Sequence, residues 1–117
     1  MFIFDKEIEA KNIASGTRRK LFPGSENMMI ARLSFTTGTS GDLHSHPHEQ
    51  MSYILKGKFR YQVGHVTKEV GEGDVVYIPS NEKHRCECLS NGEILDIFVP
   101  MRKDFANSDN KCNARSC

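Results

Sequence analysis

The sequence has no tryptophan, almost no net charge, no long apolar run and only four cysteines. Each shortage excludes something. A net charge of +1 over 117 residues leaves no electrostatic footprint for nucleic acid or an anionic membrane. The one basic cluster, Arg18-Arg19-Lys20, runs into apolar Leu21-Phe22 with no interleaved aromatics, so it reads as a solvated strand end. The opening stretch, Met1-Phe2-Ile3-Phe4-Asp5-Lys6-Glu7, becomes charged too early for a signal peptide, and nothing approaches the length of a membrane span. A cytoplasmic protein with no nucleic-acid or membrane partner is expected. Cys86-x-Cys88 share one strand face, and Cys112 and Cys117 lie in a polar stretch. Neither pair has zinc-ribbon or thioredoxin spacing, and all four read as free thiols, with a Cys112–Cys117 disulfide as the lesser alternative. Helical pattern is scarce too, confined to a weak signal at Lys6–Ala14.

What is present is a succession of short β-branched or aromatic runs broken by glycine turns. Strands are predicted at Thr17–Phe22, Met28–Thr36, Gln50–Leu55, Phe59–Val63, Val66–Val70, Asp74–Ile78, Arg85–Leu89 and Ile94–Val99. Turns are predicted between them at Lys56-Gly57-Lys58, at Gly71-Glu72-Gly73 and, as a hairpin, at Asn91-Gly92. Many short, evenly spaced strands make this an all-β chain, an antiparallel barrel or jelly roll. At this length one domain is expected, over residues 1–105, with no linker or repeat. Residues 106–117, rich in Asn, Ser and Lys, are expected to form a disordered polar tail.

Histidine carries the chemical signal. His44, His46 and Gln50 lie in Gly38-x5-His44-x-His46-x3-Gln50-x6-Gly57, and His84 ends Gly73-x5-Pro79-x4-His84. Imidazole is the commonest ligand for borderline divalent metals, and these spacings would close a metal site between neighbouring strands. Strand parity agrees, since residues two apart share a face. Gln50, Ser52 and Ile54 fall together, as do His84, Cys86 and Cys88, and Ile94, Asp96 and Phe98. Three neutral imidazoles and an amide leave the full charge of a dication in the site, making it a stronger Lewis acid than a glutamate-containing set would. They also lack the two-His-one-carboxylate set that many iron oxygenases use. The metal could be zinc, nickel, iron or manganese.

These residues carry a resemblance. The chain resembles a single-domain cupin, a double-stranded β-helix or jelly-roll barrel. Gly38, His44, His46 and Gly57 fit the first cupin motif, with Gln50 at its Glu position. Gly73, Pro79 and His84 fit the second, which departs at Asn81 and Cys88. More narrowly, His44-Ser45-His46-Pro47-His48-Glu49-Gln50, Gly73-Asp74-x-x-Tyr77-x-Pro79 and Leu95-Asp96-x-Phe98-x-Pro100-x-Arg102-x-Asp104-Phe105 are similar to the pectin-degradation cupins. The resemblance implies a metal-dependent enzyme that linearises 4,5-unsaturated uronates from pectin or alginate.

It also implies roles. Asp96, an aspartate inside an apolar run, would move a proton, and Arg102 would clamp the substrate carboxylate. On sequence alone an outward, solvated Asp96 and an ordinary surface Arg102 stand beside those roles. Phe98 is a core residue that by analogy becomes a sugar-stacking wall. His48 is a rim residue or a substituting ligand, and Arg18 could reach the pocket rim. Of Arg60 and Tyr61 only one can face inward. A sugar acid is the expected small-molecule partner. A second copy is expected as well, because apolar Met1–Phe4 is too short to bury itself. Two other functions remain open: a non-catalytic cupin that binds or senses a small molecule, and an iron-dependent dioxygenase.

Overall fold

Alternating inward and outward side chains build the structure, a computed structural model that describes residues 1–107. Seven antiparallel strands follow in order: β1 (Lys11–Ala14), β2 (Thr17–Ser25), β3 (Met28–Phe35), β4 (Glu49–Val63), β5 (Val66–Gly71), β6 (Val75–Ile78) and β7 (His84–Val99). Their hydrogen-bonded order is β1-β2-β3-β7-β4-β5, with β6 also on β4. The long strands β4 and β7 pair along their whole lengths and serve both halves of a jelly roll. The first half of β4 borders β6 and its second half borders β5, while the second half of β7 borders β3. Met29, Ala31, Leu33 and Phe35 of β3 close over Ile54, Phe59 and Ile94 to form the core. Among the described residues no helix is long and apolar enough to cross a membrane.

Three local expectations are corrected. The runs on either side of Gly57 are one strand, and so are those on either side of Asn91-Gly92. Those glycines mark a corner where β4 and β7 bend together, and their register shifts between Ile54 and Phe59. Gly57 has φ +84°, and a Cβ there would lie 2.6 Å from the carbonyl oxygens of Ser90 and Asn91. A Cβ on Gly92 would lie 2.4 Å from the Lys56 oxygen. Glycine therefore permits two backbones to touch at this bend and does not reverse the chain. Asn91 closes no hairpin; its Oδ1 accepts from the N–H of Thr37 at 2.7 Å. Third, Lys6–Ala14 forms one 3-10 turn at Asp5–Glu7 and then strand β1, because pairing of Lys11 with Arg19 outweighs a weak helical preference.

After β7 the chain turns into a short helix, α1 (Lys103–Asn107), which buries Phe105 against the barrel. The helix takes up the first two residues of the expected tail. The rest of that tail, with Cys112 and Cys117, lies outside the described residues. Cys86 and Cys88 are buried, form no disulfide and fill core space.

Candidate metal centre

A segment with little regular structure of its own delivers the first histidines. Residues 38–46 run beside the first half of β7. Gly38 N–H donates to Cys88 O at 2.8 Å, Cys88 N–H to Thr39 O at 2.8 Å, and His44 and His84 exchange both backbone bonds at 3.1 and 2.8 Å. His44 thus sits directly across from His84, with ring centroids 4.3 Å apart. His46 comes to 4.9 Å from the His84 ring. One nitrogen from each of the three lies within 4.8 Å of the others.

Backbone carbonyls orient these rings. Nδ1 lies 2.8 Å from Asp42 O in His44, 3.0 Å from His48 O in His46 and 2.9 Å from Glu82 O in His84. A carbonyl can only accept, so each Nδ1 carries the proton and each Nε2 is left with a lone pair. The Nε2 of His84 is buried with no hydrogen-bond partner. Burial pushes both His84 and His46 down to about 4; the charge of Arg102 adds to the effect at His46. Both are therefore neutral near pH 7, the form that binds a metal.

Gln50 supplies the decisive contact. Its Oε1 stands 3.0 Å from His46 Nε2. The single ring proton of neutral His46 cannot serve both Gln50 Oε1 and His48 O, so one of those contacts joins two acceptors. A cation resolves the conflict. Two donors on one ion at about 2.1 Å and near a right angle stand about 3 Å apart, as these do. The donor set fits a divalent metal held by His44, His46, His84 and Gln50.

Behind the histidines the interior stays polar. Gln50 Nε2 donates to Ser52 Oγ at 3.0 Å, and the Ser52 hydroxyl donates to Asp96 Oδ1 at 2.6 Å. Asp96 faces inward and has no exposed surface, which removes the solvated-edge reading; its Oδ2 is buried without a partner. Burial raises its pKa to about 7, against the opposing hydrogen bonds of Ser52 and Gln50 and the charge of Arg102.

A cavity of about 710 Å³ opens over His44, His46, His48 and Arg102. Arg102 is buried, and Asp104 grips it through two bonds, 3.0 Å from Nε and 2.7 Å from Nη2. Its Nη1 has no hydrogen-bond partner. His48 is half-buried on the rim, and desolvation followed by the Arg102 charge lowers its pKa. Phe98 lies behind the wall, edge-on to His46 at 5.9 Å.

Arg18 is not brought to this site. It points away from the barrel interior and bonds Ala10 O, and the inward place on β2 belongs to Arg19. The parity of Thr17, Arg19 and Leu21 carried that signal. Arg19 stacks on Phe105 at 4.1 Å while Arg102 stacks on the same ring at 4.0 Å. Arg19 therefore helps to place Arg102 through the ring between them. Tyr61, not Arg60, faces inward, its hydroxyl 3.0 Å from Ser52.

The buried carboxyl makes stability depend on pH in a defined window. Asp96 loses its proton near 3.8 when unfolded and near 7 when folded. Its contribution to stability is complete below pH 3.8 and is lost as the pH rises to about 7. Asp96→Asn removes that loss. In metal-free protein the variant should gain on wild type by about 1.4 kcal/mol per pH unit across this window and by nothing further above it. Urea titrations at several pH values check this; a constant difference would contradict it.

Residues 31–98 match the cupin domain family. The chain is 29% identical over 106 residues to the pectin degradation protein KdgF of Dickeya dadantii, covering 89% of this chain and 96% of that one. It is similar to an RmlC-like cupin from Shewanella frigidimarina, with a TM-score of 0.85, 32% identity, and 89% and 94% of the two chains covered. KdgF from Halomonas sp. shares the fold at a TM-score of 0.86 and 24% identity, over 90% of this chain and 97% of that one. The family match spans more than half of the sequence, and the chain belongs to the cupins.

Proposed function

We propose that the protein is a metal-dependent enzyme that opens the ring of a 4,5-unsaturated monouronate to a linear keto-uronate. The reading is carried by a neutral donor set, His44, His46, His84 and Gln50, beside an arginine whose Nη1 has no protein partner and a carboxyl titrating near neutrality. Similarity to a protein of pectin degradation supports the substrate class.

A divalent ion on these donors supplies positive charge that stabilises oxyanions of the substrate. Arg102 receives the sugar carboxylate at Nη1, and Asp104 keeps the guanidinium from swinging to other partners. His48 on the rim contacts the sugar, and Phe98 forms the apolar backing. The reaction is an isomerisation. The anomeric hydroxyl gives up its proton, the bond from that carbon to the ring oxygen breaks, and the resulting enolate takes a proton on the double-bond carbon that does not bear the ring oxygen, leaving a ketone at the other. Asp96 takes and returns this proton at Oδ2, the oxygen not engaged by Ser52. No oxidant or second substrate is needed.

One observation favours a second reading, that of a cupin that only binds a sugar acid. Asp96 has no exposed surface and is not among the residues that line the cavity. The same assay separates the two. With metal-loaded protein and a freshly made 4,5-unsaturated galacturonate monomer, ultraviolet absorbance should decay faster than the spontaneous rate. Asp96→Asn should lower the catalysed rate by about 100-fold or more while retaining metal. Binding without acceleration would leave the binding role.

We further infer a two-fold homodimer through the outer face of the β3–β7–β4–β6 sheet. Ile30, Ile97, Met51 and Tyr77 lie in register across four strands, and Tyr53, Val75 and Val99 extend the exposed apolar surface. Exposed Met1–Phe4 adds to the apolar surface available for pairing. A second copy, with the same face, is the partner that this self-matching apolar block fits. Sedimentation should give a dimer for wild type and a monomer for Met51→Lys with Tyr77→Lys. A monomeric wild type would refute it.

A further inference from the structure

Ser52 has no exposed surface, yet three polar groups meet at its hydroxyl. Gln50 Nε2 and Tyr61 OH are each 3.0 Å away, and Asp96 Oδ1 is at 2.6 Å. The strands dictate this meeting. Ser52 lies opposite Asp96 in the β4–β7 ladder, Gln50 precedes it on the same face, and Tyr61 returns from beyond the corner at Gly57. All of this occurs in an interior otherwise filled by Ile54, Ile78, Ile94 and Phe98.

Counting protons gives the network a direction. A serine hydroxyl has one hydrogen and two lone pairs. At 2.6 Å Asp96 Oδ1 accepts from the Ser52 hydroxyl, both as a carboxylate and as an acid protonated at Oδ2, so the Ser52 hydrogen goes there. Both lone pairs must then accept, one from the Gln50 amide and one from Tyr61. The second amide hydrogen of Gln50 faces the Tyr61 oxygen at 3.5 Å. With its amide hydrogens directed at Ser52, Tyr61 and the Asp96 carboxyl, Gln50 turns Oε1 toward His46. Reversing the amide would set its oxygen against a hydroxyl whose only hydrogen is committed elsewhere, a costly arrangement for buried groups.

We propose that Ser52 is a positioning residue for the metal centre. Its hydroxyl fixes the Gln50 amide with the oxygen toward the three histidines. It also holds Asp96 by Oδ1, leaving Oδ2 without a hydrogen-bond partner. This rests on the reading of the histidines and Gln50 as ligands of one ion, and it adds what makes an amide serviceable there. A carboxylate offers an oxygen in either orientation, whereas an amide must be told which way to face.

That difference supplies the test. Zinc(II) affinity is measured by competition with a chromogenic chelator for wild type, Ser52→Ala, Gln50→Glu and the double variant. Ser52→Ala should weaken zinc binding by about 10- to 100-fold in the wild-type background. In the Gln50→Glu background the same change should cost less than about twofold, because no amide remains to be oriented. Equal losses in both backgrounds, or none in the first, would overturn the proposal. A general packing defect would weaken both alike. Where the alanine chain does not fold, Ser52→Cys keeps the volume with a poor donor and carries the same expectation. A wild type that binds no zinc would remove the metal centre itself, a result distinct from a zinc-binding wild type indifferent to Ser52.

Discussion

One ring proton on each of three imidazoles decides what this interior can do. Backbone carbonyls of Asp42, His48 and Glu82 take those protons, and the remaining nitrogens of His44, His46 and His84 turn toward a common point. Burial keeps His46 and His84 neutral. Gln50 adds an oxygen where a further acceptor is tolerable only beside a positive charge. The consequences follow outward from that point. Arg102 lies close enough to repel protons from His46, and Asp96 feels the same guanidinium from behind. Charge in this pocket is therefore shared among a few groups, each held by its neighbours.

The scaffold concentrates the chemistry on two long strands. β4 carries Gln50, Ser52 and Tyr61; β7 carries His84, Asp96 and Phe98. Because these strands pair throughout, their inward side chains are fixed relative to one another by a continuous ladder. His44 and His46 join through the 38–46 segment, which borrows its bonds from the first half of β7. Arg102 alone comes from beyond the barrel, and the Phe105 ring, between Arg19 and Arg102, secures it.

Much of this was legible in the sequence, for a physical reason: a strand period of two converts spacing into direction. That rule grouped Gln50 with Ser52 and Ile54, and Asp96 with Phe98, before any contact was known, and it brought the three histidines toward one place. It failed where the same residue serves two purposes. A glycine that lets a chain reverse and one that lets two backbones touch look alike in sequence, so Gly57 and Asn91-Gly92 suggested turns where the strands only bend. Arg18 and Arg19 look alike in sequence, and it is the register of β2 that turns Arg19 inward and Arg18 out. The junction at Ser52 was hidden for another reason. Serine in a strand signals nothing until the partner strand and the corner place Asp96 and Tyr61 around it.

Everything proposed for the site depends on a single ion held among these four side chains. The most direct measurement is an anomalous-difference map from crystals grown with excess zinc(II). The account predicts one strong peak per chain, enclosed by the Nε2 atoms of His44, His46 and His84 with Gln50 Oε1 as the next donor. A map with no peak among these histidines, although zinc was in excess, would contradict it.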